Sequence, residues 1–249
     1  MSDRSRALAL AGLISFALAL AACAAQDDDS AGESTSAVTR RDAGRDARAD
    51  ADAGPLPSFH GTATPIDDAL RATMSGVSHK AGCPVALDDL RVLTIVHWGY
   101  DGEVHSGRLV VHQDQAAPLL RVFEAIFVSR YPIARMQLVD VYGGNDDASM
   151  ADDNTSAFNC RPKTGQATGF SEHSYGRAID INPIRNPYVT TSGAVTPPAG
   201  KPYAKRSLAE PGMIAPGDAV VKAFADIGWK WGGAWSGARD YQHFSQSGR

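Results

Sequence analysis

Two short segments, far apart in the chain, contain the side chains that could perform chemistry. His173 and Asp180 lie in the first, and Asp240 and His243 lie in the second. Two imidazoles and one carboxylate can hold a catalytic zinc ion, which keeps a fourth position open for water. The pattern therefore predicts Zn²⁺ bound by His173, Asp180 and His243. Asp240 is then placed to act as the general base that takes the proton of the attacking water.

The spacing within each segment brings these side chains together only if the chain turns. His173 and Asp180 are seven residues apart, and an odd separation on one straight strand would place them on opposite faces. A turn at residues 175–176 would fold the chain back so that both side chains converge. Asp240 and His243 are three residues apart, which suits the same side of a turn or helical bend. Spacing alone is equally compatible with hydrogen-bonded structural histidines.

The residues that surround these side chains resemble a known family. The first segment reads Ser-x-His-x-x-Gly-x-Ala-x-Asp and continues Ile-Asn-Pro, and Trp-x-Trp-Gly-Gly and Asp-x-x-His-Phe follow near the end of the chain. This pattern is similar to that of the D-alanyl-D-alanine carboxypeptidase-like metallopeptidases. They include vanY-type D,D-carboxypeptidases and L-alanyl-D-glutamate endopeptidases, in a superfamily with lysostaphin-type peptidases and the Hedgehog signalling domain. The resemblance extends over residues 83–244.

The resemblance implies both a fold and a reaction. It implies zinc held by His173, Asp180 and His243, in a small α+β domain with a central antiparallel sheet, and peptidoglycan stem peptides as substrate. It also implies that Asp240 is the catalytic base. Many members have Glu at that position and the endopeptidase-like branch has Asp, which favours that branch slightly. The choice between a carboxypeptidase and an endopeptidase stays open.

Several residues near the two segments are candidates for binding the substrate. Residues 146–150 and 154–161 are similar to the substrate-side loop of the family. Arg161 could bind a peptide carboxylate or stabilise an oxyanion, or it could form a salt bridge within its loop. Ser171 could donate a hydrogen bond to the substrate, or its hydroxyl could serve the local turn. The glycines at residues 232–233 predict a tight turn beside the site.

The N-terminus predicts export rather than fold. Basic residues precede an apolar stretch at residues 8–22, which is shorter than the roughly 20 residues that a transmembrane helix needs. It ends in Leu-Ala-Ala-Cys, which resembles the lipobox of bacterial lipoproteins and implies a signal peptide at residues 1–23 with lipidation of Cys23. An ordinary secretory signal is the alternative. Residues 24–55 are rich in Asp, Ala and Arg and predict a disordered linker.

Composition limits the classes of partner. The formal net charge of -4 argues against a nucleic-acid partner. Residues 56–249 suffice for one peptidase domain, which we expect to be a monomer, attached to the membrane through lipidated Cys23 and facing the cell wall or periplasm. If Cys23 is lipidated, Cys83 and Cys160 remain as a pair. They could form a disulfide in an oxidising compartment, or stay as two buried free thiols.

Hydrophobic patterning predicts an α+β fold with flanking helices. Helices and strands alternate without regular βαβ units, which favours an antiparallel sheet. The pattern predicts helices at 65–74, 118–130 and 216–227, strands at 90–98, 108–112 and 136–142, strand-like arms at 170–173 and 177–181, and loops at 143–165 and 186–203.

Two functions are compatible with these features. The first is a zinc peptidase that hydrolyses a bond in the peptidoglycan stem peptide. The second is a zinc-containing, catalytically silent lipoprotein that binds the cell wall. Asp240 favours the first function, because a silent relative has no need of a general base.

Overall fold

The computed structural model describes residues 57–163 and 168–249. The predicted signal peptide, the lipidation site at Cys23 and the predicted linker lie outside these residues. The described part has mixed α and β structure with small antiparallel sheets, which confirms the predicted α+β class. In this part of the chain, no helix is both long and apolar enough to cross a membrane.

The first sheet is a three-stranded antiparallel meander of β1 (Gly61–Pro65), β2 (Leu90–Trp98) and β3 (Val104–His112). The predicted strand 90–98 is confirmed by β2. β3 begins four residues before the predicted strand, because its ladder with β2 extends to the pair Val104 and Trp98. β1 has no alternating apolar pattern and is mostly exposed, so only its pairing with β2 makes it a strand.

Two helices flank this sheet. α1 (Asp68–Met74) starts three residues later than predicted, because Pro65 belongs to β1 and the Asp67 carboxylate caps the helix by accepting from the Leu70 N–H at 2.8 Å. α2 (Gln113–Val128) starts five residues earlier than predicted. Its buried face packs on β2 and contributes Leu119, Val122, Phe123 and Ile126 to the core.

The segment from residue 135 to 155 differs from its prediction. The predicted strand 136–142 is wrong beyond its start: β4 (Arg135–Met136) is two residues long, and Val139–Tyr142 is a 3-10 helix that ends at Gly143 with φ 65°. The predicted loop contains α3 (Asp146–Ala151), capped by Asn145, and β5 (Asn154–Thr155), which pairs with β4 in parallel. Asn145 and the two aspartates after it are the start signal of a helix, and it was missed.

The two strand-like segments predicted on either side of residue 175 differ in structure. Glu172–Tyr175 is a 3-10 helix rather than a strand, and β6 (Ala178–Asp180) is the only strand of the pair. The loop predicted at 186–203 contains a hairpin of β7 (Tyr188–Val189) and β8 (Val195–Thr196), followed by a 3-10 helix at Pro198–Lys205. Two-residue strands are too short to leave a periodic pattern in the sequence.

The last part of the chain completes two further sheets. α4 (Ala219–Asp226) lies within the predicted helix and is capped by Asp218. β9 (Lys230–Trp231), β10 (Arg239–Asp240) and β11 (His243–Ser245) follow. β11 lies between β6 and β9 in an antiparallel sheet, and β10 joins the β7–β8 hairpin as the third strand of another.

One hydrophobic core joins the first sheet, α2, α4 and the β6–β11–β9 sheet. Phe244 of β11 is fully buried and stacks on Phe224 of α4, with ring centroids 4.1 Å apart. A second buried cluster lies beside the disulfide between Cys83 and Cys160, whose Cα atoms are 6.0 Å apart. The disulfide closes a separation of 77 residues.

Phe244→Ala should lower the free energy of unfolding by about 3–5 kcal/mol, because it leaves a cavity between α4 and the β6–β11–β9 sheet. Urea denaturation of the metal-free protein measures the change. Val128→Ala, at a residue 75% exposed, is the control and should stay within about 0.5 kcal/mol of the wild type. Equal effects of the two substitutions would contradict the packing described for Phe244.

Candidate metal centre

Asp180 and His243 meet because they are direct partners in an antiparallel ladder. The register of β6 with β11 pairs Asp180 with His243, and opposite residues in such a ladder extend from the same face. The His243 Nδ1 atom is 2.9 Å from Asp180 Oδ1. The strand pairing thus brings together two residues that are 63 positions apart in the chain.

His173 reaches the same point from the 3-10 helix that precedes β6. The Ser171 hydroxyl caps this helix by accepting from the His173 N–H at 3.4 Å, and Gly176 ends it with φ 65°. A Cβ at Gly176 would lie 2.5 Å from a backbone nitrogen of β3, so glycine is required for the approach as well as for the turn. The His173 Nε2 atom lies 3.1 Å from Asp180 Oδ2.

The three side chains form one buried cluster. One ligand atom of each residue lies within 4.8 Å of those of the other two. His173, Asp180 and His243 are 3%, 5% and 6% exposed. The geometry brings together the three residues that the sequence predicts as metal ligands.

Hydrogen bonds on the far side of each imidazole leave the inner nitrogens as lone-pair donors. His173 Nδ1 is 2.6 Å from the carbonyl oxygen of Ala157, and His243 Nε2 is 3.3 Å from the backbone oxygen of Arg249. A ring nitrogen that faces a carbonyl carries the hydrogen, so in the neutral rings the other nitrogen presents its lone pair.

Those two inner nitrogens, His173 Nε2 and His243 Nδ1, are 3.3 Å apart and both face the Asp180 carboxylate. Two lone pairs and an anionic oxygen directed at one point repel each other unless a cation or a proton lies between them. Two imidazole nitrogens and one carboxylate oxygen are a donor set that fits Zn²⁺. The residues present therefore fit the predicted metal.

Burial and mutual charge act in opposite directions on the pKa values of this cluster. Burial would raise the pKa of Asp180, but the two histidines outweigh it and hold that pKa well below its ordinary value. Burial would lower the pKa of His243, but hydrogen bonding and charge from Asp180 raise it overall. The carboxylate is thus held ionised, which is the form that binds a metal.

Asp240 lies on β10, and Tyr241 and Gln242 form the bend that connects it to His243. The residue as a whole is half-buried, but its Oδ1 atom is shielded from solvent and has no hydrogen-bond partner among the described residues. Burial, and then the negative charge of Asp180, raises the pKa of Asp240 to about 7. Its carboxylate can therefore exchange a proton near neutral pH.

A cleft of about 750 Å³ contains the cluster and the other predicted site residues. Arg161 lines it, but one guanidinium nitrogen is 2.9 Å from Asp146, so the loop salt bridge that the sequence allows is present. Ser171 also lines the cleft while its hydroxyl caps the helix of His173. Prediction from sequence missed the wall residues Lys163 and Arg249, which have no motif to mark them.

Gly232 keeps the backbone close to the site. A Cβ at this position would lie 2.6 Å from the backbone oxygen of Asp240 and 3.3 Å from the Cβ of His243. The tight turn predicted at residues 232–233 is a 3-10 turn, Gly232–Ala234. The absence of a side chain at Gly232 therefore allows β9 to approach both functional residues.

The comparison with family models agrees with this geometry. Residues 164–246, about a third of the chain, match the model of a family described as D-alanyl-D-alanine carboxypeptidase. This range includes the three residues of the cluster and Asp240. No curated protein and no solved structure matches the chain.

Gly232→Ala should weaken zinc binding by about 10- to 100-fold, because the added methyl group displaces Asp240 and His243 from their positions. Competition titration with a chromogenic chelator measures the affinity. Ala234→Ser, at an exposed position of the same turn, is the matched control. Unchanged affinity in the folded Gly232→Ala variant would show that the close approach does not position the ligand.

The pKa of Asp240 predicts a pH dependence of stability in the metal-free protein. Its ordinary value is 3.8 and its folded value is about 7. Below about pH 4 the carboxyl is protonated in both states, whereas between pH 4 and 7 it ionises mainly in the unfolded chain. The wild type should therefore lose stability relative to Asp240→Asn as the pH rises from about 4 to 7.

Urea unfolding at several pH values with a chelator present measures this difference. Asp147→Asn, which neutralises an exposed carboxylate of the same cleft, is the control and should follow the wild type. A constant difference between the wild type and Asp240→Asn across this range would show that the pKa of Asp240 is not raised by folding.

Proposed function

With residues 164–246 carrying a D-alanyl-D-alanine carboxypeptidase family domain, we propose that this protein is a zinc-dependent peptidase that hydrolyses a peptide bond in the peptidoglycan stem peptide. The cut is that of a D,D-carboxypeptidase or of an L-alanyl-D-glutamate-type endopeptidase. The observation that carries the proposal is the buried convergence of His173, Asp180 and His243 in a cleft that also contains Asp240.

His173 would hold Zn²⁺ through Nε2, His243 through Nδ1, and Asp180 through a carboxylate oxygen. When bound, zinc lowers the pKa of a water molecule and polarises the scissile carbonyl. The Ala157 carbonyl and the Arg249 backbone oxygen fix the two imidazole tautomers, so that the ligand nitrogens are ready before the metal arrives.

In this proposal Asp240 acts as the general base of the hydrolysis. Its unpaired Oδ1 can accept the proton of the attacking water, and burial keeps its pKa in the range where a carboxylate can take and return a proton. The same proton then passes from Asp240 to the nitrogen of the leaving amine, which restores the ionised carboxylate. The hydroxyl group of the water thus becomes part of the new carboxyl group, and its other hydrogen is transferred to the released amine.

Arg161 and Ser171 serve the substrate in this proposal. The positive charge of Arg161 would stabilise the negative charge that develops on the carbonyl oxygen, while Asp146 fixes the guanidinium in place. The Ser171 hydroxyl accepts from the backbone of His173, and its own hydrogen remains for a substrate oxygen.

The proposed place of action is outside the cytoplasm. The disulfide between Cys83 and Cys160 is consistent with an oxidising compartment. We further propose that residues 1–23 are a lipoprotein signal peptide, that lipidated Cys23 anchors the protein, and that residues 24–55 are the linker of a monomeric peptidase domain at residues 56–249. Peptidoglycan stem peptides are then the partner, with no role for nucleic acid.

The direct test incubates the zinc-loaded protein with purified peptidoglycan and identifies the products by mass spectrometry. Asp240→Asn should lower the rate of hydrolysis by about 10²- to 10⁴-fold, because it removes the proton acceptor, while zinc binding persists. Asp226→Asn, at an exposed residue of α4 outside the cleft, is the control and should keep most of the activity. Removal of zinc with a chelator should abolish hydrolysis, and added zinc should restore it.

The products distinguish the remaining alternatives. Release of a terminal D-Ala identifies a D,D-carboxypeptidase, and release at the L-Ala–D-Glu bond or at a cross-link identifies an endopeptidase. Full activity of zinc-loaded Asp240→Asn would exclude Asp240 as the base. A folded, zinc-loaded wild type that binds peptidoglycan without cleaving it would replace the peptidase by the catalytically silent lipoprotein.

A further inference from the structure

The register of a small sheet aligns three side chains along one wall of the cleft. β10 pairs with β7 so that Asp240 is directly opposite Tyr188, and β7 pairs with β8 so that Tyr188 is directly opposite Thr196. Opposite residues of antiparallel strands extend from the same face of the sheet. Thr196, Tyr188 and Asp240 therefore form one row, called the 188–196–240 row, and all three line the cleft.

The alternation of side chains along β7 agrees with this arrangement. Thr190, two residues after Tyr188, also lines the cleft, as the two-residue period of a strand requires. Val189 and Val195 are opposite each other in the neighbouring row and so extend from the other face. The face that carries Asp240 thus carries Tyr188, Thr190 and Thr196, whereas Val189, Val195 and Arg239 extend from the other face.

The base of the hairpin is firmly held. Asn186, two residues before β7, is fully buried, and its side-chain amide donates to the Gly212 carbonyl at 2.9 Å and accepts from the Ile214 N–H at 2.7 Å. Buried and fully used amide groups restrict movement of the backbone that carries them. The wall is therefore preformed before a ligand arrives.

The hydroxyl groups of the row are available to a ligand. Within residues 57–163 and 168–249, neither the Tyr188 hydroxyl nor the Thr196 hydroxyl makes a hydrogen bond. Both residues are half-buried, so each has part of its surface open to the cleft. A hydroxyl can donate one hydrogen bond and accept two, which suits an amide or carboxylate group of a peptide.

The chemistry of the proposed reaction specifies which part of a peptide lies beside this row. The base that takes the water proton returns it to the leaving amine, so the amine nitrogen must come within about 2.6–3.2 Å of the Asp240 carboxylate. Tyr188 is the next side chain along the row, with its Cβ about 4.5–5.5 Å from that of Asp240. A leaving residue that extends from that nitrogen along the row lies over Tyr188 and Thr196.

We infer that Tyr188 and Thr196 form the subsite for the leaving residue, defined as the residue on the amine side of the cleaved bond; the inference rests on the proposed function. The tyrosine ring limits the size of the leaving residue's side chain. The two uncharged hydroxyls bind its backbone amide or carboxylate by hydrogen bonds. The row thus selects among leaving residues.

The test compares Tyr188→Phe, Tyr188→Ala and Thr196→Val with Val189→Thr, a control on the opposite face of the same strand. The probe is a synthetic peptidoglycan stem pentapeptide that the wild type cleaves. Two analogues differ from it only in the leaving residue, which is glycine in one and has a larger side chain in the other. The quantities measured are kcat and KM for each peptide, together with zinc affinity.

Tyr188→Ala should lower kcat/KM for the parent peptide by about tenfold or more, because the apolar contact of the ring is lost. Its preference between the glycine analogue and the larger analogue should shift toward the larger one. Tyr188→Phe and Thr196→Val should each lower kcat/KM for the parent peptide by about 2- to 12-fold, which corresponds to the loss of one hydrogen bond. Zinc affinity should stay unchanged in all variants, as should the kinetics of Val189→Thr.

A second measurement separates binding from catalysis. Zinc-loaded Asp240→Asn should bind the parent peptide without rapid cleavage. The double variant Asp240→Asn/Tyr188→Ala should bind the same peptide more weakly, as measured by calorimetry. If the wild type is active and Tyr188→Ala has the same preference among leaving residues, the subsite is overturned but the proposed peptidase activity is not. A zinc-loaded wild type that cleaves no stem peptide would overturn both.

Discussion

The ladder between β6 and β11 is the constraint on which both the core and the site depend. Asp180 is opposite His243, and Ile179 is opposite Phe244, in the same register. Because successive residues of a strand point to opposite faces, Phe244 is directed into the core whenever His243 is directed into the cleft. A slip by one residue would direct the imidazole into the apolar core and the phenyl ring into the polar cleft. Packing of Phe244 against Phe224 therefore also holds His243 in place.

This arrangement buries a polar cluster of two imidazoles and one carboxylate. Two imidazole lone pairs and one carboxylate converge in a pocket from which water is largely excluded. Burying polar groups without partners is costly, and the donors of this cluster are already used on their outer sides. A divalent cation would satisfy all three groups at once, so the same convergence that is costly for the cluster alone would favour the binding of a metal.

Backbone geometry around the cluster is equally restrictive. Gly176 permits both a left-handed turn and close contact with β3, and Gly232 permits close contact with Asp240 and His243. Each glycine supports the position of a different functional side chain. The short 3-10 turns and two-residue strands of this region are therefore the means by which distant residues meet, and they explain why so much of the site lies outside long helices and strands.

The sequence by itself pointed to the three residues of the buried cluster, to the family whose model matches residues 164–246, and to the α+β class, because zinc chemistry requires particular donors and long apolar strands and helices leave periodic patterns. It also pointed to residues 175–176 as a turn, because Gly176 favours one. It could not reveal the hairpin of β7 and β8, which it predicted as a loop, since strands of two residues have no detectable period. Only the tertiary structure decided that Tyr188 is opposite Asp240 and that Arg161 pairs with Asp146, because strand register and ion pairing between distant segments depend on packing that local residue patterns do not encode.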